Sequence, residues 1–273
     1  MHILLTGGTG LIGRALCNHW AQQGHQLTVC SRSPQQVPGL CGAQVRGIGQ
    51  LEELGDVGLD AVVNLAGAPI ADRPWTRKRK TLLWASRISL TEQLLAWLKL
   101  REQKPQVLLS GSAVGAWEET AQRAEDLGIR VVLVRTGLVL AKDGGFLKRL
   151  LLPFKLGLGG PLGDGRQWMS WVHLADQVAL IDFLLQQPQA RGPYNACAPE
   201  PVRNADFARS LGHVLHRPAI LPAPALLLRV GLGELSALLL GGQRALPLRL
   251  REAGFTFRFT DLDTALEDLL GRH

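Results

Sequence analysis

Read from its amino end, the chain alternates short apolar runs with longer stretches in which apolar residues recur every three or four positions. The short runs have the length and β-branched content of buried strands, and the longer ones have the period of helices packed on one face. His2 to Leu5 reads as a first strand ending in a glycine turn, and Leu11 to Gln23 as a helix with Gly24 placed to stop it. Gln26 to Ser31 is the second strand, Gln44 to Gly47 a shorter third, and Asp60 to Leu65 the fourth. A long helical stretch from about Thr76 to Arg101 puts Leu82, Leu83, Leu90, Leu94, Leu95 and Leu98 on roughly one face. Val107 to Ser110 is the fifth strand, Ala116 to Leu127 a helix stopped by Gly128, and Ile129 to Arg135 the sixth strand. Strands alternating with helices predict a parallel sheet covered on both faces.

Beyond Thr136 the texture changes. A glycine-rich, basic segment runs from Lys142 to Arg166, followed by a strand at Trp168 to His173 and a helix at Asp176 to Gln187. Pro193 to Ala196 is a short extended piece, and helices are expected at Asn204 to Leu215 and Ala225 to Leu240. A helix ending at Gly254, a strand at Phe255 to Phe259 and a last helix from Asp261 complete the chain. The expected division is a core over residues 1–140 and a smaller lobe over 141–273, with the 168–187 strand and helix returning to the core.

The turn after the first strand carries the chemistry. In Leu4-Leu5-Thr6-Gly7-Gly8-Thr9-Gly10-Leu11-Ile12-Gly13 the glycines stand between a strand and a helix, the setting that makes this spacing informative. Gly7 permits the sharp turn, Gly10 leaves room for a diphosphate against the backbone, and Gly13 lets the helix pack closely. The amides and dipole of the helix start then form an anion seat, to which Thr9, Leu11 and Ile12 also belong. At the end of the second strand, where a ribose-binding carboxylate is common, the chain has Ser31-Arg32-Ser33. A cation at Arg32 suits a 2′-phosphate and predicts NADP(H) over NAD(H); a plain surface arginine is the alternative.

Composition narrows the classes. A chain of 273 residues with 46% hydrophobic content can bury a large core, and its formal net charge of +7 suits an anionic ligand. The densest basic cluster, Arg73, Arg77, Lys78, Arg79 and Lys80, lacks aromatic RNA motifs or zinc-finger spacing and reads as a solvated helix start, so no nucleic-acid partner is expected. Cys17, Cys30, Cys41 and Cys197 form no C-x-x-C pair and read as thiols in a reducing compartment. The greasy stretch from Ala225 to Leu240 contains Arg229 and Glu234, which predicts an amphipathic helix rather than a membrane span. With no signal-peptide pattern at the start, the expected location is cytoplasmic.

The assembled motifs resemble the extended short-chain dehydrogenase/reductases, and within them the atypical branch of bacterial epimerase family proteins related to nucleoside-diphosphate-sugar epimerases, whose substrate is generally unassigned. The matching stretches run in order along nearly the whole chain: Thr6 to Gly13, Asn64-Leu65-Ala66-Gly67, Ser86-Arg87, Ser110-Gly111-Ser112, Arg135-Thr136-Gly137, Trp171-Val172-His173, and Gly241 to Pro247. The resemblance implies a Rossmann-type doubly wound α/β fold with strand order 3-2-1-4-5-6 and a small C-terminal substrate lobe closing over the cofactor. It also implies that Asn64, Leu65, Ala66, Gly67, Arg87 and Ser110 line the cofactor and that Ser112 is the active-site serine. By resemblance alone, a homodimer through the long fourth and fifth helices is the expected assembly.

One departure bears on activity. Enzymes of this superfamily normally carry a Tyr-x-x-x-Lys pair after the fifth strand, the lysine lowering the tyrosine's pKa so that it relays a proton. Here Gly115 runs into Ala116-Trp117-Glu118-Glu119; no lysine follows before Lys142, and the only tyrosine of the chain is Tyr194. Relatives carry a few dozen residues at this point. Two explanations stay open: the gene has lost the segment, or the sequence has been joined across residues the protein still carries. An intact mass of 29.7 kDa would refute the second.

The remaining candidates are weaker. Ser112 is placed to hydrogen-bond a substrate oxygen, and no G-x-S-x-G elbow makes it a hydrolase nucleophile. His173 faces the site in one reading, while Asp176 reads as a helix cap. The glycines from Gly157 to Gly165 suggest a lid, with Arg166 available for an anionic group and Arg244 for substrate positioning. His213 and His216, three apart on one helix, have no third ligand, so no metal is expected. The leading expectation is an NADP(H)-dependent oxidoreductase or epimerase-like enzyme acting on a small carbonyl or hydroxyl substrate. Its rival is a non-catalytic NADP(H)-responsive protein that contacts a partner.

Overall fold

A computed structural model of the chain describes residues 1–70, 72, 74–112 and 115–271, apart from the side chain of Leu232. Arg73 of the basic cluster falls outside the described residues. The first part of the chain forms β1 (His2–Thr6), α1 (Leu11–Gln22), β2 (Gln26–Cys30), α2 (Val37–Cys41), β3 (Arg46–Ile48), β4 (Ala61–Asn64), α3 (Arg77–Leu100), β5 (Val107–Ser112), α4 (Gly115–Gln122) and β6 (Arg130–Thr136). Then come β7 (Leu138–Ala141), α5 (Gly145–Lys155), β8 (Trp168–Met169), β9 (Trp171–His173), α6 (Leu174–Gln186), β10 (Gly192–Ala196), β11 (Val202–Arg203) and α7 (Asn204–Val214). The chain closes with α8 (Ala225–Leu232), α9 (Ser236–Leu240), α10 (Leu248–Glu252) and α11 (Leu262–Leu270).

The main sheet has the order β10-β6-β5-β4-β1-β2-β3. This is the expected doubly wound order with a seventh strand beyond β6. The pairings of β1 with β2 and β4, of β2 with β3, and of β5 with β4 and β6 are all parallel. The chain gathers into two compact units, one of Met1–Ala68, Thr81–Arg135 and Val178–Tyr194, the other of Pro69–Lys80, Thr136–Gln177 and Asn195–His273.

In the first unit, Leu4, Val62, Leu108 and Leu133 of the sheet pack against Leu94 and Leu98 of α3, with Ala121 and Ala124 beyond α4's start. Helix α1 buries Gly13, Leu16, Cys17 and Trp20, the spacing of one helical face. Trp20 is fully buried, and its indole N–H donates to the Asp182 carboxylate at 2.7 Å, so the large apolar ring enters the core without an orphaned donor. The four thiols are unpaired; Cys17, Cys41 and Cys197 are buried and Cys30 is half-buried. Burial pushes the Cys17 thiol up and holds Cys197 at about 12.

The second unit departs from the sequence reading in several places. Within Lys142 to Arg166, residues 145–155 form a helix whose Leu147 and Phe154 join the core with Trp171, Phe207 and Leu211. The following glycine series is stitched to its neighbours. Asn204 Oδ1 accepts from the Leu162 amide at 2.7 Å, and the Gly163 amide donates to the Ala223 carbonyl at 2.8 Å. A Cβ on Gly160 would lie 2.1 Å from the Leu221 carbonyl oxygen, so glycine is required there by close backbone approach.

The stretch Trp168 to His173 is two strands in separate two-stranded sheets, β8 with β11 and β9 with β7. The expected helix from Ala225 to Leu240 is broken at Gly233, whose φ is +56°. His216 lies past the end of α7 at φ +53°, so it and His213 do not share a helix. Residues 255–259 form no strand. The Asp176 carboxylate accepts from the Arg258 and Phe259 amides at 2.8 and 2.9 Å, meeting donors that a neighbouring strand would otherwise engage. Asp176 is therefore a buried clamp on the C-terminal segment rather than a helix cap.

Candidate functional site

The glycine turn holds its shape through backbone contacts. Gly7 has φ +75°, and a Cβ there would lie 2.6 Å from the Leu65 carbonyl carbon and 2.7 Å from the Ala66 amide nitrogen. A Cβ on Gly13 would lie 2.5 Å from the Gly7 oxygen and 2.6 Å from the Gly8 Cα. Gly8 is equally confined, its Cβ position being 2.7 Å from the Val29 side chain. These glycines let β1, β4 and α1 converge on one point.

Gly10 is different. It caps α1 in extended conformation with its amide 3.0 Å from the Gly7 oxygen, and an added Cβ would meet only that oxygen, at 3.3 Å. No side chain caps the α1 terminus, so the amides of Leu11, Ile12 and Gly13 have no side-chain acceptor there. An uncapped helix start beside a glycine whose Cβ position is nearly open fits a diphosphate.

At the end of β2, Ser31 is half-buried and its Oγ accepts from the Ser33 amide at 3.2 Å. Arg32 is exposed, and among the described residues no hydrogen bond or ion pair engages its guanidinium. Asn64 is buried between strands. Its Oδ1 accepts from Thr6 Oγ1 at 2.6 Å, and its amide donates to Thr91 Oγ1 at 2.9 Å and Ser110 Oγ at 3.5 Å. The Asn64 and Ser110 side chains thus tie the sheet to α3. What the β4 end offers outward is the backbone of Leu65, Ala66 and Gly67. Arg87 lies against Gly67, donates to the Ala68 carbonyl at 3.0 Å, and covers the Trp117 ring at 4.5 Å. The Trp117 indole N–H is buried with no acceptor among the described residues.

Ser112 belongs to a network that sequence reasoning missed. Its Oγ donates to Glu118 Oε1 at 2.8 Å. Both oxygens of the same carboxylate accept from Arg135, from Nε and Nη2, each at 2.6 Å. The register explains the meeting, since Ser112 of β5 is the Cα partner of Arg135 on β6 and α4 returns Glu118 over both. The Arg135 guanidinium holds the Glu118 carboxyl below the usual carboxylate range, and Glu118 in turn holds Arg135 up. The available signal was a charged residue ending an otherwise apolar buried strand, Val131 to Arg135. Tyr194 gives no substitute for the absent tyrosine. It is buried on β10 and faces Arg130, whose side chain leaves β6 on the sheet face opposite to that of Arg135.

The substrate candidates of the second unit separate into two kinds. His173 is buried, its Nδ1 accepting from the Ala175 amide at 3.1 Å and its ring 4.0 Å from that of Phe259, with the Asp268 carboxylate 3.3 Å from Nε2. It is turned into the core of its own unit. Arg244 is exposed, 5.1 Å over the Trp168 ring, which Arg203 covers from 3.7 Å. Arg203 also donates to the carbonyl of exposed Arg166. Among the described residues no cluster of His, Cys, Asp and Glu suits a metal ion. A cavity of about 520 Å³ in the first unit, lined by Met1, Asp60, Gln106 and Arg130, lies at the amino ends of the strands, away from the glycine turn.

Comparison with known proteins agrees with this geometry. The model of the NAD dependent epimerase/dehydratase family matches residues 3–127 and 113–197. The chain belongs to that family. A domain of unknown function (DUF1731) matches residues 223–269. An epimerase family protein of Staphylococcus haemolyticus is 38% identical over 296 residues, covering 98% of each chain. The epimerase family protein YfhF of Bacillus subtilis is 34% identical over 299 residues, covering 99% of this chain and 98% of its own. Among solved structures, the human epimerase family protein SDR39U1 (isoform 2), crystallised with NADPH, superposes with TM-score 0.85 at 30% identity over 99% of both chains.

The expected kinship with the extended short-chain dehydrogenase/reductases therefore holds, and with it the Rossmann-type fold. These alignments are longer than the 273 residues of this epimerase family member, so its relatives carry residues with no counterpart here. The two pieces of the family match overlap at 113–127, where the Tyr-x-x-x-Lys segment was expected and not found. Among the described residues, no helix is long and apolar enough to cross a membrane.

Proposed function

We propose that this protein binds NADP(H) in preference to NAD(H) and acts as an oxidoreductase or epimerase-like enzyme on a small hydroxyl or carbonyl substrate. The observation that carries the reading is the uncapped start of α1 over Gly10, with the guanidinium of Arg32, unpartnered among the described residues, following β2. The amides of Leu11 to Gly13 would hold the diphosphate, Arg32 and Ser31 the 2′-phosphate, and the Leu65 to Gly67 backbone the neighbouring ribose. The human relative crystallised with NADPH supports this choice.

When bound, the nicotinamide supplies or takes up the hydride. The protein's own part is orientation. Glu118, kept ionised by Arg135, accepts the hydrogen bond of the Ser112 hydroxyl, so the Ser112 Oγ lone pairs are left to accept a hydrogen bond from a substrate hydroxyl. Arg166 and Arg244 would meet an anionic group on the substrate. A non-catalytic NADP(H)-responsive role is the second reading. It is favoured by the absent Tyr-x-x-x-Lys pair, whose loss removes a relay typically worth about 10²–10⁴-fold in rate.

Calorimetric titration with NADPH and NADH tests the cofactor assignment. A charge-assisted hydrogen bond contributes about 1.5–3 kcal/mol, so Arg32→Ala is expected to reduce the NADPH:NADH affinity ratio by about ten- to a hundredfold. An unchanged ratio refutes the role of Arg32. Binding of NADPH without its oxidation by any of a panel of carbonyls and sugar nucleotides would favour the non-catalytic reading.

A further inference from the structure

The second unit carries a surface that the proposed chemistry does not use. Leu152, Leu156 and Leu158, at and beyond the end of α5, are each at least 60% exposed. So are Ile220, Leu226, Leu227 and Val230, from the α7–α8 connection and α8. The two segments are stitched together. The Leu221 amide donates to the Gly159 carbonyl at 3.1 Å, the Ala223 amide to the Pro161 carbonyl at 2.9 Å, and Arg217 Nε to the Lys155 carbonyl at 3.0 Å. An exposed aliphatic patch built from two joined segments is unusual on a soluble surface and marks a contact site.

Its charge is one-sided. Residues 145–163 and 207–233 contain no aspartate or glutamate, while Lys148, Arg149, Lys155, Arg217 and Arg229 all stand there; at the margins are Asp143 and Asp164, with Asp206 paired to Arg209 and Glu234 to Lys80. A second copy of this face would bring like charges together, since a two-fold contact sets a patch against itself. Protein hot spots favour Trp and Tyr, yet every strongly exposed large apolar side chain described in this unit is aliphatic. Leucines set among lysines and arginines, with carboxylates only at the margins, suit a fluid anionic interface instead.

We propose that this face of the second unit docks on an anionic lipid surface, with the α8 leucines and the residues after α5 entering the headgroup boundary and the cations meeting lipid phosphates. The test is co-sedimentation of the full-length chain with vesicles of equimolar phosphatidylglycerol and phosphatidylcholine, and with phosphatidylcholine alone. Retention is expected on the first only, weakening as salt shortens the Debye length from about 10 Å at 0.1 M to about 3 Å at 1 M. Each cation near such a surface is worth about fivefold in affinity, so Lys148→Gln, Lys155→Gln and Arg229→Gln together are expected to weaken retention about 100-fold.

Leu226→Gln with Leu227→Gln should weaken it at least about tenfold, because the leucines' apolar burial is lost. Far-ultraviolet circular dichroism and an unchanged thermal midpoint keep these variants comparable. The proposal is overturned by equal retention on both vesicle types, or by none on the anionic ones. A concentration-dependent dimer in lipid-free solution that the leucine changes abolish would assign the face to a second copy. Binding to soluble polyglutamate as tight as to vesicles, and indifferent to the leucine changes, would assign it to an acidic polypeptide; either result also overturns the proposal.

Discussion

Two glycines only three apart in sequence, Gly10 and Gly13, should respond differently to the same added methyl group. At Gly13 a Cβ would sit 2.5 Å from the Gly7 oxygen and 2.6 Å from both the Gly8 Cα and its oxygen, all of them backbone atoms. Ordinary carbon contacts begin near 3.5 Å, so α1 would have to retreat by about 1 Å. Overpacking of this kind costs about 1–3 kcal/mol, partly offset by the roughly 1 kcal/mol by which alanine is the better helix former. Gly13→Ala should therefore lower the thermal midpoint by about 2–4 °C for each kcal/mol that remains, and displace the α1 amides as well. At Gly10 the backbone is at φ −76° and ψ 176°, which alanine adopts freely, and the added carbon meets only the Gly7 oxygen at 3.3 Å. Gly10→Ala should leave the midpoint within about 1 °C. Its methyl would stand where a diphosphate must approach, and loss of one amide-to-phosphate hydrogen bond weakens binding about ten- to a hundredfold. Differential scanning calorimetry and NADPH titration of both variants make the comparison. NADPH affinity unchanged in a normally folded Gly10→Ala protein would refute the placement of the diphosphate over α1.

Two further outcomes follow from the electrostatics. Glu118→Gln leaves Arg135 without its carboxylate; with one partner buried and the other half-exposed, the expected loss is about 1–3 kcal/mol, between surface and buried ion pairs. Because the folded Glu118 carboxyl titrates below its unfolded value of about 4.3, its contribution is complete above that pH and fades as pH falls through the lower folded value. Urea unfolding across that acid range should be less pH-dependent in the variant, and parallel curves would refute the pairing. Burial lowers the His173 pKa against the opposing pull of Asp268 and Asp176, with Arg258 acting in the same direction as burial. Its neutral form is the native one, so stability from this group is complete above about pH 6.5 and declines as pH falls below it. His173→Asn should flatten that decline in midpoints measured by calorimetry, and an unaltered slope would exclude His173 as its source.

Much of the first unit was legible along the chain because its interactions are local or periodic. Alternating apolar runs and helical faces specify a parallel sheet, and the glycine spacing between β1 and α1 specifies a turn that only glycine can make. The strand order followed from that pattern and the family resemblance. In the second unit the reading was weaker because its elements are short and held by long-range partners. The Asp176 carboxylate replaces a strand neighbour for residues 258 and 259, and nothing near either segment announces it. Gly233 breaks an apolar stretch that hydropathy alone reads as one helix. Asn64, expected to line the cofactor, also has its side-chain amide bonded to Thr6 and Thr91, contacts that no spacing along the chain announces.

The amino-acid order by itself determined the fold class, the phosphate-type turn and the absence of a Tyr-x-x-x-Lys pair, since each depends on residue type at fixed short spacing. Tertiary structure alone decided that Ser112 donates its hydroxyl hydrogen bond to Glu118, and that the lone tyrosine faces Arg130 on the other side of the sheet from it. Those outcomes depend on strand register and on which helix returns over which strand end, and neither is encoded in the spacing of any single motif.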